Sequence, residues 1–265
     1  MADLAPPAAP LPEGAERFVE RYGEDDPRQL GEWWLPRGDS LPLVVLLHGG
    51  YWRPVYDLTL EHAVASALVA RGFAVWNVDY RASDAPWPST LLDVAAALDA
   101  VPASPVASRL DLARTAVVGH SAGGHLALWA ASRGQLPADA PGAAPDVVPS
   151  LVVAQAPVAD LRLAAAQGLG GGAVLALLGG TPGQVPERYS VADPAQLLPT
   201  PARVVCVHGQ DDDVVPLSQS EAYAAVARAA GVEVEVQVVP GGHFEHLDPA
   251  SSAMREAFDA VENRC

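Results

Sequence analysis

Ser121 stands at the centre of Gly119-His120-Ser121-Ala122-Gly123, where the apolar run TAVVG ends and the helix-patterned segment HLALWAAS begins. A serine between two glycines at a strand-turn-helix junction is the pattern of a nucleophile presented on a strained turn. Gly119 and Gly123 would leave room for neighbouring backbone to pack closely. The helix that starts there would also aim its positive end at any oxyanion developing beside the hydroxyl. The bland reading is a glycine-rich turn with an incidental serine. A hydroxyl becomes a useful nucleophile only with a general base, and the base needs an acid to orient it. For this kind of presentation the chain order is Ser, then acid, then His, so both partners are sought after residue 121.

Two segments offer them. RVVCVHGQDDDVVP (203–216) ends an apolar run in three consecutive acids, Asp211, Asp212 and Asp213. PGGHFEHLDP (240–249) follows another apolar run and carries His243 and His246. Gly241-Gly242 lets the loop swing His243 over the strand ends, which makes it the expected base. The tetrahedral intermediate then needs preorganised N–H donors. One is expected from Ala122, the residue after the nucleophile, and the other from Gly49 and Gly50 of LPLVVLLHGGYWRP (41–54), a strand that runs into a loop of the His-Gly-Gly type. Tyr51 and Trp52 beside those glycines, together with Trp87, are candidates for a substrate wall, with hydrophobic packing as the competing reading.

The other histidines have plainer roles in prospect. His62 falls in an expected surface helix, His125 lies one helical turn after Ser121, and His48, His120 and His208 sit at strand ends where they can brace turns. None lies with Cys or acidic partners at metal-ligand spacing, so no metal is expected. The glycine-rich GLGGGAVLALLGGTPG (168–183) does not follow a strand, as a dinucleotide or phosphate-loop fingerprint would require, and no cofactor is expected.

Positioning such groups takes a rigid sheet. Short apolar runs recur at 43–47, 73–78, 115–119, 150–155, 203–207 and 234–239. Runs apolar along their whole length suit strands buried on both faces. The segments 57–71, 88–101, 121–133, 217–230 and 249–263 read as crossover helices, giving an α/β fold with a mostly parallel central sheet flanked by helices. QLGEWWLP (29–36) reads as an antiparallel edge strand that sends Trp33 and Trp34 to opposite faces. The alternation breaks over about 156–200, a short helical cap insertion above the strand ends where ligands bind in open sheets. Residues 1–14 are Ala/Pro-rich and read as a flexible tail, with residues 15–265 as a single domain.

Sixteen Lys and Arg against thirty-two Asp and Glu leave a net charge of −16, which opposes nucleic acid and anionic membrane surfaces. Two cysteines, Cys206 and Cys265, read as free thiols. The start of the chain has neither the basic residues nor the apolar stretch of a signal peptide, so the expected location is cytoplasmic. A small-molecule substrate is the expected partner, and a homodimer is left open.

These residues resemble the α/β-hydrolase superfamily, and within it the kynurenine formamidase-like and small carboxylesterase branch. The likeness runs from about residue 20 to the end. It is carried by His48-Gly49-Gly50-Tyr51-Trp52, Asp79-Tyr80-Arg81, Trp87-Pro88, GHSAGGHLA (119–127) and His243-Phe244. The segment after residue 207 is similar to the H-G-x-x-D-x-x-V-P pattern of such hydrolases, which falls on Asp212 with Val215-Pro216, and Asp211 is the alternative. The resemblance implies a triad of Ser121, Asp212 and His243, acting on an aryl formamide such as N-formylkynurenine or on a small carboxylic ester through an acyl-enzyme. The alternatives are a general short-chain carboxylesterase and a non-catalytic binding protein of the same fold.

Overall fold

The structure, a computed structural model, describes residues 9–264. Residues 1–8 of the expected tail and the thiol of Cys265 lie outside the described residues. Pro10 is tied down by the Ser66 hydroxyl, which donates to its carbonyl at 2.6 Å.

Eight strands form one sheet: β1 (Glu16–Arg21), β2 (Leu30–Leu35), β3 (Leu41–Leu47), β4 (Ala74–Val78), β5 (Leu110–His120), β6 (Leu151–Gln155), β7 (Arg203–Gly209) and β8 (Val234–Val239). Their spatial order is β1-β2-β4-β3-β5-β6-β7-β8. The β1–β2 and β2–β4 pairs are antiparallel and the remaining pairs parallel. The mostly parallel α/β architecture expected from the apolar runs is therefore present. β2 differs from expectation: it lies between β1 and β4, and β1 is the edge. The sequence ERFVER hides that strand because its residues are almost all exposed, so there is no buried face to leave an apolar alternation. Charged side chains on an edge strand also discourage pairing with other chains.

The crossover helices cover both faces. α1 (His62–Ala70) and α8 (Ser252–Arg264) pack on one, α2 (Ser89–Asp99), α3 (Ala122–Ser132) and α7 (Ser218–Ala229) on the other, the latter together with the insertion. Trp33 and Trp34 do point to opposite faces. Trp33 stacks on Trp76 at 4.6 Å between ring centroids in one core, and Trp34 belongs to the other. The insertion folds as three short helices, α4 (Leu161–Gln167), α5 (Ala173–Leu178) and α6 (Pro186–Ala192), with one 3-10 turn between α4 and α5 and another after α6. Among the described residues no single helix is long and apolar enough to cross a membrane.

Parallel strands all end on one side of a sheet, so the loops after β3, β5, β7 and β8 converge there. Those loops carry Gly49-Gly50, Ser121, Asp212 and His243.

Candidate active site

Ser121 stands at the N-cap position of α3 with φ 57° and ψ −115°, a positive-φ backbone conformation that costs a non-glycine residue of order 1–3 kcal/mol. The surroundings force the turn. A Cβ on Gly123 would collide with the carbonyls of Leu47 and His48 at the end of β3, and one on Gly119 would collide with the backbone of Gly123. Both glycines are thus set by close approach, as expected. The Ser121 N–H donates to the Gln155 carbonyl at 2.7 Å, anchoring the turn to β6.

The other two members meet across the ends of β7 and β8. The Nδ1–H of His243 donates to Asp212 Oδ2 at 2.7 Å. The second carboxylate oxygen, Oδ1, accepts the N–H groups of Val214 at 2.9 Å and Val215 at 2.8 Å. Burial by itself would raise the Asp212 pKa, but the hydrogen bond and charge of His243 and the two backbone N–H bonds outweigh it and hold the carboxyl below its usual range. Among the three consecutive acids it is therefore Asp212 that faces the histidine. Asp211 is engaged through its backbone, its N–H donating to the Gly241 carbonyl at 3.0 Å. The two loops approach so closely that a Cβ on Gly209 would lie 2.5 Å from the Gly241 carbonyl oxygen.

Histidines at the strand ends brace this arrangement. His120 donates from Nε2 to the carbonyl of His243 at 2.9 Å, and its ring lies 4.6 Å from that of His243. Burial, then the neighbouring His243 and His246, push its pKa well below the usual histidine value, so the ring stays neutral. His208 donates from Nε2 to the Val215 carbonyl at 2.8 Å and accepts the Ser220 hydroxyl at Nδ1, also at 2.8 Å. It thereby pins the turn that carries Asp212. His48 donates from Nδ1 to the Gly49 carbonyl at 2.8 Å, and the Tyr80 hydroxyl donates to the His48 carbonyl at 2.7 Å. His62 differs from the expected surface position: it is buried, with Nε2 at 2.9 Å from Glu32.

Ser121 and His243 line a cleft of about 230 Å³ together with Gly50, Tyr51, His120 and Val214. Gly49 adjoins Ser121, since a Cβ there would sit 3.2 Å from the Ser121 Cβ. Ala122 is the first residue of α3, where helical N–H groups have no partner within the helix. The structure thus brings together Ser121, Asp212, His243, Gly49, Gly50, Ala122 and Tyr51. It does not bring Trp52 and Trp87 to the cleft. Trp52 is buried in the core, edge-on to His125 at 5.1 Å, and Trp87 packs at the core's margin with the Arg188 guanidinium 5.8 Å above its ring. Consecutive left-handed residues, Tyr51 and Trp52 with φ 53° each, explain how neighbours part company. The walls come instead from Arg53, Tyr56, Leu60, Phe244 and Leu247, which were not expected as site residues. Phe244 had a signal in its place next to His243. The rest lie on the turns that follow the two motifs. Among the described residues no three His, Cys, Asp or Glu side chains converge as metal ligands would.

The family model BD-FAE matches residues 34–226, which span β3 to β7 and most of α7. The chain belongs to the BD-FAE family. Its α/β-hydrolase fold is shared with solved structures of low sequence identity. A truncated carbohydrate esterase from gut microbiota superposes with a TM-score of 0.82 at 21% identity, over 97% of this chain and 99% of that one. Esterase B from Lactobacillus rhamnosis superposes with a TM-score of 0.81 at 23% identity, over 96% of this chain and 88% of that one. In sequence the chain is 30% identical over 251 residues to Esterase LipC of Mycobacterium tuberculosis, covering 88% of this chain. It spans 62% of the length of LipC. The family shown is BD-FAE, and the relatives named here are esterases rather than formamidases.

Proposed function

We propose that this BD-FAE member is a serine esterase that hydrolyses small carboxylic esters through an acyl-enzyme on Ser121. The observation that carries the proposal is the 2.7 Å bond from His243 to an Asp212 whose side chain is 1% exposed, with His243 and a strained Ser121 lining the same cleft. In the proposed reaction Ser121 Oγ attacks the ester carbonyl carbon while its proton passes to His243 Nε2. Asp212, held negative by its surroundings, orients the ring and stabilises the imidazolium. The oxyanion is held by backbone N–H groups of Ala122 and the Gly49-Gly50 loop. Collapse breaks the ester C–O bond, and His243 returns the proton to the leaving alcohol. Water activated by the same ring then attacks the acyl carbon and releases the acid, regenerating Ser121.

The esterase names of LipC and of the solved relatives support the ester reading, as does the crystal structure of esterase B with a tributyrin phosphonate inhibitor. The aryl formamide reading rests on sequence motifs, chiefly His48 to Trp52, and two of the aromatic residues expected to build its pocket, Trp52 and Trp87, lie away from the cleft. Esters are therefore the better supported substrates. The test is hydrolysis of 4-nitrophenyl acetate and of N-formylkynurenine by the protein and by Ser121→Ala. Ester turnover that is lost in Ser121→Ala while the folded CD spectrum is kept is the expected result. Retained activity in Ser121→Ala would overturn the mechanism, and a higher kcat/KM for the formamide would restore the formamidase reading.

A further inference from the structure

We infer that Arg53 forms an anion subsite in the cleft, so that the esters best used by this protein carry a carboxylate near the scissile bond. The inference rests on the esterase reading above.

Arg53 lines the same cleft as Ser121 and His243, two residues beyond Tyr51. Among the described residues its guanidinium has no acidic partner and makes one side-chain hydrogen bond, from Nη2 to the Gly170 carbonyl at 2.5 Å. The guanidinium carbon lies 5.8 Å over the ring of Tyr51. Tyr51 is fixed in turn, its hydroxyl donating to the Val214 carbonyl at 2.8 Å. Gly170, in the insertion, packs so closely on that ring that a Cβ would lie 2.7 Å from it. The guanidinium is thus positioned from two sides by groups that satisfy a single N–H, leaving most of its five donors to water or a ligand.

The charge of the lining points the same way. In a chain of net charge −16, no Asp or Glu among the described residues lines this cleft. Asp212 stands behind His243 with both oxygens engaged. Burial keeps His120 neutral, while burial and the nearby Asp212 charge keep the Tyr51 phenol protonated. Among the described residues that line the cleft, Arg53 is the one with a permanent charge, and a held planar guanidinium suits a carboxylate through paired N–H···O bonds. A guanidinium that only fastened the insertion to Tyr51 would not require the acids to be kept out of the lining.

The experiment compares two pairs of esters that differ in charge: 4-acetoxybenzoate with its methyl ester, and 4-nitrophenyl hydrogen glutarate with 4-nitrophenyl butyrate. The quantity read is the ratio of kcat/KM for the anionic member to that for the neutral member, in the unaltered protein and in Arg53→Gln, Arg53→Lys and Arg53→Glu. Intrinsic reactivity cancels when ratios are compared between variants. In at least one pair the ratio is expected to fall about 5- to 20-fold in Arg53→Gln, chiefly through KM, as for one or two charge-assisted hydrogen bonds at a partly open site. It should fall further in Arg53→Glu and recover in part in Arg53→Lys. The pair that responds tells whether the anion sits on the leaving group or on the acyl chain. Ratios unchanged within about twofold in both pairs would overturn the inference, even if all rates drop, because a disturbed insertion lowers both members alike. Ser121-dependent turnover of the neutral esters sustains the esterase reading whatever the ratios do. No turnover of any of the four esters overturns both.

Discussion

Replacing Asp212 by Asn changes one atom and, by the geometry of the site, reverses the direction of a proton. Oδ1 of Asp212 accepts two backbone N–H groups, from Val214 and Val215. An asparagine must keep its carbonyl oxygen there, since turning its NH2 toward those two donors would leave both without an acceptor, at about 1–3 kcal/mol each. The NH2 is then forced to face His243 Nδ1, now 2.7 Å from a carboxylate oxygen. To accept from it, Nδ1 must give up its proton, and the imidazole takes the tautomer protonated at Nε2. That ring cannot accept the Ser121 proton. Loss of the correct tautomer in this way is worth about 10⁴ in kcat, or about 5–6 kcal/mol of transition-state stabilisation. The assay is kcat for 4-nitrophenyl acetate hydrolysis by Asp212→Asn, with Asp211→Asn as the comparison and thermal unfolding as a control for fold. Asp211→Asn should stay within a few-fold of the unaltered protein. An Asp212→Asn activity within tenfold of the unaltered protein, or a larger loss in Asp211→Asn, would refute the reasoning.

Other outcomes follow from the packing. Gly123→Ala places a Cβ on the Leu47 carbonyl, so it should unfold the protein or lower its stability by about 3 kcal/mol or more, read by urea denaturation; a normal midpoint would contradict the close approach. Phe244 is 59% exposed at the cleft and Trp87 is outside it, so Phe244→Ala should raise KM for an aryl ester about 2- to 10-fold while Trp87→Leu leaves it nearly unchanged; the reverse order would move the aromatic wall to Trp87. Glu61 is fully buried with Oε1 unpartnered, and burial pushes its pKa up to about 8. It is therefore protonated in the folded protein at neutral pH and ionised in the unfolded chain. Its stabilising contribution is complete below the unfolded value of 4.5 and is lost as pH rises toward 8, so the Tm gain of Glu61→Gln should be larger at pH 8 than at pH 5; an equal gain would contradict the buried acid.

What could be read from the sequence divides along physical lines. β3, β4, β6, β7 and the second half of β5 were legible because strands buried on both faces are almost wholly apolar, and β8 because its valines alternate with polar residues. β1 was not, because its exposure removes that constraint and its charges can pair across to β2, as Arg17 does with Glu32 at 2.5 Å. Ser121 and His243 showed because each stands beside glycines at the end of an apolar run, and the acids 211–213 showed as a group because they follow another such run. The choice between Asp211 and Asp212 needed the structure, since adjacent acids differ only in where the turn points them. Trp52 shows the limit most clearly. It adjoins Tyr51 in sequence, yet two successive left-handed residues send one ring to the cleft and the other into the core. Leu60 and Leu247 reach the cleft from 3-10 turns, where no alternation reveals which side is turned inward.

The claim that Ser121 is an activated nucleophile is tested most directly by covalent labelling. The folded protein, incubated with a fluorophosphonate at neutral pH, should gain one phosphonyl group in its intact mass, mapped to the peptide containing Ser121, and lose esterase activity in proportion. Ser121→Ala should gain none. An unlabelled folded protein, or labelling at another residue that abolishes activity while Ser121 stays free, would contradict the account.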